Sequence, residues 1–412
     1  MMTAKTDIDR MLHPDEALAT VLEFARPGAT ETVPLADAGW RVLAEDVVAT
    51  ENHPPFPAST MDGYAVFAAD VSPWREVLGI QNAGDVLPVE VTDGYTVKIM
   101  TGAPVPMGAD AVVPVENIDI VDDHVVIRQE HVTPGENIRP VGSDVRLGDL
   151  LVSAGTKLGP AEIGLAAGMG YANLTVYRKP RVSVLSTGNE LVEPGEPLGP
   201  GQIRDSNRFS LATALIAEGA EVVWSGKAPD ERDALEALMR ERIADSDILI
   251  TSGGVSMGDL DLVKALLSEL ATVHFRRLKM KPGKPLNFAT AGNTLIFGLP
   301  GNPVSSLATF ELFLRPALAV VAGRGPSPRP RVSVTLETSM PPTDRIEYAR
   351  GFVTIGADGR LYGKPNGRQV SSRLASFAGG INALLIIPDD NRPREAGEQV
   401  EVMLLGAPRA NG

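Results

Sequence analysis

Apolar positions between residues 181 and 321 fall into two alternating textures. Short continuous runs, such as Ile248-Leu249-Ile250, have the composition of strands buried on both faces. Between them, apolar residues recur three and four apart, the spacing of one helix face. The pattern predicts strands over 181–185, 221–224, 247–250, 286–289 and 294–297. It predicts helices over 206–218, 230–244, 260–270 and 303–321. Such alternation implies a doubly wound, parallel α/β sheet covered by helices on both faces, with right-handed crossovers.

The flanks read differently. Over 8–25, Ala17, Leu18, Val21, Leu22 and Phe24 form an apolar stripe behind His13-Pro14-Asp15-Glu16, which resembles a helix start. Between 47 and 141, short β-prone runs (64–67, 95–100, 111–115, 125–128) alternate with Gly, Pro, Asp and Asn, the texture of an all-β module with long turns. Residues 160–172 are small and helix-prone, with Pro160 suited to a first turn. After a Gly/Pro-rich linker at 323–330, runs at 332–336, 351–355, 384–387 and 400–404 read as strands of a small barrel or sandwich, with a hairpin turn at Ala357-Asp358-Gly359. Four domains follow: a discontinuous mixed domain (1–46 plus 142–178), an inserted β-rich domain (47–141), the α/β domain (179–325) and a C-terminal β domain (326–406).

Composition narrows the chemistry. A length of 412 residues is more than one core usually organises, and 43% hydrophobic with 22% charged residues is ordinary for a globular protein. No window approaches ~18 consecutive apolar residues, and the polar start of the chain lacks an apolar core with a cleavage site, which argues against secretion. A cytoplasmic location is expected. The absence of cysteine excludes disulfides, thiolate nucleophiles and Cys-ligated zinc. The five histidines form no H-x-x-H pair, so a metal, if used, should be a hard ion held by carboxylates and phosphates, magnesium first. A net charge of −14 makes nucleic acid a poor partner. Against that field, Arg276, Arg277, Lys279, Lys281 and Lys284 concentrate positive charge within one short run. A solvated surface strip would look the same in isolation.

In doubly wound sheets, ligands bind beyond the carboxyl ends of the strands. Three loops leave those ends here. They are Ser186-Thr187-Gly188-Asn189-Glu190, a loop running from Thr251-Ser252-Gly253-Gly254 to Asp259, and Gly298-Leu299-Pro300-Gly301-Asn302-Pro303-Val304-Ser305-Ser306. Glycines let backbone approach a ligand, and the following helix N-terminus offers unpaired N–H groups to an anion. Asn302 is suited to an N-cap and Pro303 to the first helical position. A tight β-to-α turn alone would explain one such loop. Two of them, joined by Lys281-Pro282-Gly283-Lys284-Pro285, favour an anion site. Glu190, Asp230, Asp259 and Asp261 fall at or just after strand ends, where a bridging magnesium would need them, although Asp230 and Asp259 could be helix caps alone. Asp62 and Thr101 sit in turn-like segments of the β-module, and turn chemistry could account for both. No Ser/His/Asp order, P-loop or GxGxxG fingerprint supports a nucleophilic hydrolase or a dinucleotide enzyme.

Taken in order, these segments resemble the MoeA/gephyrin family of molybdopterin molybdenumtransferases. The resemblance rests on Pro54-Pro55-Phe56-Pro57-Ala58-Ser59-Thr60-Met61-Asp62-Gly63-Tyr64-Ala65, Ile99-Met100-Thr101-Gly102-Ala103, Gly135-Glu136-Asn137-Ile138-Arg139 and the three strand-end loops with the Lys281–Pro285 run. It covers essentially the whole chain. The resemblance implies an enzyme that takes adenylylated molybdopterin, molybdate and a divalent cation to molybdenum cofactor and AMP. It further implies an elongated homodimer, and contact with the molybdopterin adenylyltransferase that supplies the substrate. Carried over, Asp62, Thr101, Arg139 and Asp144 come from the partner side. Glu190, Asp230 and Asp261 hold magnesium, with Asp259 beside them. Ser252, Gly253, Gly254, Pro300, Gly301, Asn302 and Ser305 bind substrate. Arg277, Lys281 and Lys284 hold phosphate and oxyanion charge, and Arg350 and Ser371 match molybdate positions. Many relatives have an isolated lysine where Arg277 stands and an uncharged residue at Lys279, leaving open which of these cations meets ligand. Arginine favours two-point oxyanion contact over a point charge.

The mechanism expected is electrostatic assembly without a covalent enzyme intermediate. Two other readings compete. One is the preceding ATP-dependent adenylylation of molybdopterin, whose enzyme resembles the α/β domain alone. The other is a non-catalytic scaffold that binds the cofactor.

Overall fold

Strand side chains in the α/β domain alternate between two apolar layers. Val182, Val184, Ile248, Ile250, Leu295 and Phe297 enter one core, whereas Leu185, Leu249 and Ile296 enter the other. The first layer is closed by helix residues Leu211 and Leu215 and by Phe310 to Val321, the second by Leu235, Met239, Val263, Leu266 and Leu267. Helices thus cover both faces, as the alternating pattern predicts. The computed structural model describes residues 8–229, 231–253 and 262–410. Asp230, Gly254, Asp259 and Asp261 lie outside the described residues.

The sheet has seven strands, in the order Met11–Leu12, Thr272–Leu278, Pro285–Ala291, Thr294–Leu299, Ile248–Ser252, Arg181–Ser186 and Glu221–Lys227. Its centre is parallel, with Ser186 beside Ser252 and Ser252 beside Leu299, so three strands end level. One margin departs from the all-parallel expectation. Pro285–Ala291 runs antiparallel to both Thr294–Leu299 and Thr272–Leu278. In the sequence, the Thr272–Leu278 strand shows only the start of the basic run. It carries two register shifts against its neighbour, which break the period-two signal. The expected helix over 8–25 is shorter, Pro14–Phe24, because Met11–Leu12 pairs with Arg277 and Leu278 as an edge strand. His13 caps the helix, its Nδ1 accepting from the Asp15 N–H at 3.2 Å.

The long helix Pro303–Val321 contains a π-helical stretch, Phe310–Leu314. Its 19 residues and mean hydropathy of 1.5 match a membrane span in length and apolarity. However, 78% of its apolar window is buried inside the protein, the condition of a core helix. Arg331–Leu336, Ile346–Ile355, Leu361–Pro365, Ala383–Ile387 and Gln399–Leu404 close into a five-stranded barrel. Closure removes the free edges that an open sandwich would leave. Met280–Lys281 adds to this barrel in parallel with Ile346–Glu347, joining it to the α/β domain.

Two compact units divide the chain. One comprises the described parts of Met1–Ala44, Gly155–Gly159 and Asn173–Gly412, the other Glu45–Ala154 and Pro160–Ala172. The second unit is built on a four-stranded sheet, Glu76–Gln81, Tyr95–Ile99, Gly63–Val66 and Ala111–Pro114. Glu76–Gln81 escapes sequence reading because it is a half-exposed edge. Ile118–Val121 and His124–Ile127 form a hairpin turning through Asp122 and Asp123, both at positive φ (47° and 64°), as a two-residue turn of this hand requires.

Candidate functional site

Level strand ends bring the glycine-bearing loops together. The Thr187 N–H donates to the Ser252 carbonyl at 3.0 Å, and the Gly253 N–H to the Leu299 carbonyl at 3.1 Å. Gly253 stands at φ 88°, and a Cβ there would lie 2.7 Å from the Thr187 carbonyl oxygen. Only glycine permits this approach. Asn207, first residue of the helix Asn207–Ala217, ties the loops from a third side. Its Nδ2 donates to Ser252 Oγ at 2.9 Å and to the Gly301 carbonyl at 2.7 Å. A carbonyl can only accept, so the amide nitrogen must face Gly301. Asn302 occupies the N-cap position of the next helix with Pro303 at its start. Its side chain makes no capping bond; Pro303 has no N–H, and the Val304 N–H is taken by a backbone carbonyl from the C-terminal region.

The cleft so formed has a volume of about 840 Å³, within the usual range for small-ligand sites. Glu190, Ser252, Gly253, Pro300, Gly301 and Asn302 line it. Glu190 is exposed and folded back over Gly188, where a Cβ would fall 2.4 Å from its carboxylate. Ser305 is buried behind the helix start, outside this lining. The described wall offers carboxylate, hydroxyl and carbonyl oxygens, with no imidazole or thiolate. That donor chemistry fits a hard divalent cation. Among the described residues no three potential metal ligands cluster, and two of the three expected ligands, Asp230 and Asp261, lie outside those residues.

The basic run does not line this cleft. It lies along the antiparallel margin and the seam with the barrel. Lys279 pairs with Asp389 at 2.6 Å and Lys281 with the buried Glu347 at 3.3 Å. The Lys284 carbonyl accepts from the Leu278 N–H at 2.8 Å, while Arg277 sits on the strand beside Met11. Arg350 is 1% exposed. Its Nε donates to Ser376 Oγ at 2.9 Å and its Nη2 to the carbonyls of Arg368 and Val370, both at 3.3 Å. Burial holds the Arg350 pKa below the usual arginine value, against the opposing pull of the Glu347 carboxylate. The Ser371 carbonyl accepts from the Val304 N–H at 3.2 Å, and its neighbour Ser372 reaches the cleft wall.

In the second unit, Asp62 and Thr101 meet directly. Asp62 Oδ1 accepts from the Thr101 N–H at 2.7 Å and from its hydroxyl at 2.8 Å. These two bonds, backbone first, hold the carboxyl below its ordinary value. Arg139 lies on a two-residue strand paired with Ala58–Ser59, and the Asp144 N–H donates to the His53 carbonyl at 3.1 Å. Three site residues escaped sequence reading: Asn207, Arg204 and Glu347. Asn207 falls inside the helix expected over 206–218, where the apolar pattern gives it no loop-tying role.

Family comparisons agree with this architecture. Residues 12–170 match the MoeA N-terminal region (domain I and II), 183–320 a probable molybdopterin binding domain, and 334–405 the MoeA C-terminal region (domain IV). The molybdopterin molybdenumtransferase of Haemophilus influenzae is 36% identical over 397 residues, covering 95% of this chain and 98% of that one. Molybdopterin molybdenumtransferase 2 of Mycobacterium tuberculosis is 40% identical over 399 residues, covering 93% and 96%. Among solved structures, the molybdopterin biosynthesis MoeA protein of Pyrococcus horikosii superposes with a TM-score of 0.82 at 31% identity, covering 97% of this chain and all of that one. Fold, cleft and matched regions define a protein of the molybdopterin-biosynthesis class, with a binding domain of the α/β type between two β-rich regions. More narrowly, the chain belongs to the MoeA family.

Proposed function

We propose that this protein is a molybdopterin molybdenumtransferase, inserting molybdate into adenylylated molybdopterin with release of AMP. The observation that carries this reading is the polar cleft at three level strand ends, in a chain similar along nearly its whole length to relatives of that name. Loop backbone at the strand ends, Gly253 and Gly301 among it, receives the phosphate-bearing substrate. Asn207 keeps the two loops at a fixed spacing, so the N–H groups are in place before the ligand arrives. Arg350 and Ser371 form the molybdate side, and Arg277, Lys281 and Lys284 hold phosphate and oxyanion charge. Glu190, with Asp230 and Asp261, would hold magnesium, which when bound polarises the phosphoanhydride. An oxygen of molybdate or water attacks the adenylyl phosphorus and stays on the departing AMP, and the bond to the molybdopterin phosphate breaks. The two dithiolene sulfurs displace oxygens of molybdate, which leave on AMP or as water with the thiol protons.

The protein acts as a cytoplasmic homodimer, and Asp62, Thr101, Arg139 and Asp144 of the partner subunit complete the cleft. Substrate arrives from the molybdopterin adenylyltransferase, with which contact is expected. Asp230→Ala and Lys281→Ala should each abolish molybdate-dependent AMP release while the circular dichroism spectrum stays unchanged. Normal turnover in both variants would sink the assignment. A requirement for ATP would move it to the preceding adenylylation. Binding of adenylylated molybdopterin without molybdenum insertion would leave only a scaffold.

A further inference from the structure

Among the described residues lining the cleft, Arg204 is the only lysine or arginine. Its place is built rather than incidental. The strand Ile203–Arg204 pairs in parallel with Leu191–Val192, the Ile203 N–H donating to the Glu190 carbonyl at 2.8 Å and the Asp205 N–H to the Val192 carbonyl at 3.0 Å. Beneath it, Arg208 donates from Nε to Asp205 at 3.1 Å and from Nη2 to both oxygens of Glu193 at 2.5 and 2.6 Å. Arg208 and Asp205 are both buried, so this network fixes the strand from below. It also engages Glu193 and Asp205, two carboxylates close in sequence that could have neutralised Arg204. Arg204 itself is exposed and forms no ion pair with a described residue. Among the described residues its one side-chain hydrogen bond runs from Nη2 to the Glu196 carbonyl at 2.9 Å, which orients the guanidinium without cancelling its charge.

A planar guanidinium, held at one corner and left with free N–H groups, matches two oxygens of a phosphate. We propose that Arg204 is a substrate-binding residue that grips a phosphate group of the ligand in this cleft. The assignment rests on the proposed reaction for the ligand's identity, but not for the presence of an anion. Arg204 supplies there the positive charge that the Arg276–Lys284 run does not bring to the cleft wall.

The test uses AMP as probe, titrated calorimetrically into the full chain at two salt concentrations. Arg204→Ala should raise the Kd for AMP about tenfold or more and flatten its salt dependence. Arg204→Lys should recover part of that loss, since it restores charge without the fork. In turnover, Arg204→Ala should raise KM for adenylylated molybdopterin and leave kcat within about twofold, the mark of a binding contact. Arg240→Ala, on an exposed pair with Glu236, controls for loss of surface charge and should bind AMP as wild type does. A thermal melt confirms that each variant folds. AMP affinity in Arg204→Ala within twofold of wild type would overturn the proposal. The two readings separate cleanly. AMP binding lost with Arg204 in a chain that never releases AMP supports this assignment and refutes the reaction. Unchanged binding in a chain that turns over normally does the reverse.

Discussion

At the strand ends, Glu190 and Arg204 face an open cleft without ion-pair partners among the described residues. At the seam with the barrel, Lys279, Lys281 and Arg350 are each held by groups the barrel supplies. Both regions carry basic side chains, for different structural ends. Cleft charges are bound to the fold through backbone and one corner of a side chain, so their removal should cost affinity and little else. Seam charges are counter-ions and hydrogen-bond donors within the fold, and at Lys281 and Arg350 their removal deprives buried groups that water cannot easily reach.

The largest expected effect breaks this comparison at its buried end. Arg350→Ala empties a site 1% exposed and removes the guanidinium bonds to the Ser376 hydroxyl and to the carbonyls of Arg368 and Val370, which keep only their backbone donors. Chemical denaturation should show a loss of about 2–4 kcal/mol, whereas Arg204→Ala should stay within about 0.5 kcal/mol. Comparable losses for both would erase the distinction. Next comes Gly253→Ala, which forces an alanine to φ 88° and its Cβ to 2.7 Å from a carbonyl oxygen. A destabilisation of about 1–3 kcal/mol is expected, with AMP binding lost as the loops spread. Lys279→Ala removes a partly exposed pair with Asp389 and should cost no more than about 1 kcal/mol, a margin that sharpens the contrast with Arg350.

The smallest effect concerns pH. Asp62 is an exposed carboxylate whose folded pKa is lowered by Thr101, so its stabilising contribution is present above the unfolded carboxylate value and fades as pH falls through the lower folded value. Carboxyl NMR should place its midpoint below 3.8, and Thr101→Ala should move it back toward that figure as the hydroxyl bond is lost. A midpoint unmoved by the substitution would remove the hydroxyl from the account.

The α/β core was legible because its central strands are apolar on both faces and its helices follow glycine- and proline-rich turns. Where charge enters a strand, the pattern fails. Thr272–Leu278 carries His274, Arg276 and Arg277 and bulges twice, so it reads as a surface strip. Ile346–Ile355 was visible only from Gly351 onward, because Glu347 and Arg350 are buried charges that no alternation rule places inside. The glycine loops announced an anion site through composition. Arg204 did not, since one arginine in a polar segment has no local signature. Its meaning depends on Arg208 having engaged the nearby carboxylates.

Glu347 draws these threads together. It faces Lys281 across the strand pairing of the seam, and its charge also acts on Arg350, three residues further along the same strand. A single buried carboxylate therefore serves as counter-charge to two cations assigned to different anions. If these two cations meet the anions proposed for them, occupancy of one would change the field of Glu347 at the other. Thermodynamic reciprocity then requires that whatever factor molybdate changes the affinity for the nucleotide-bearing substrate, the substrate changes the affinity for molybdate by the same factor.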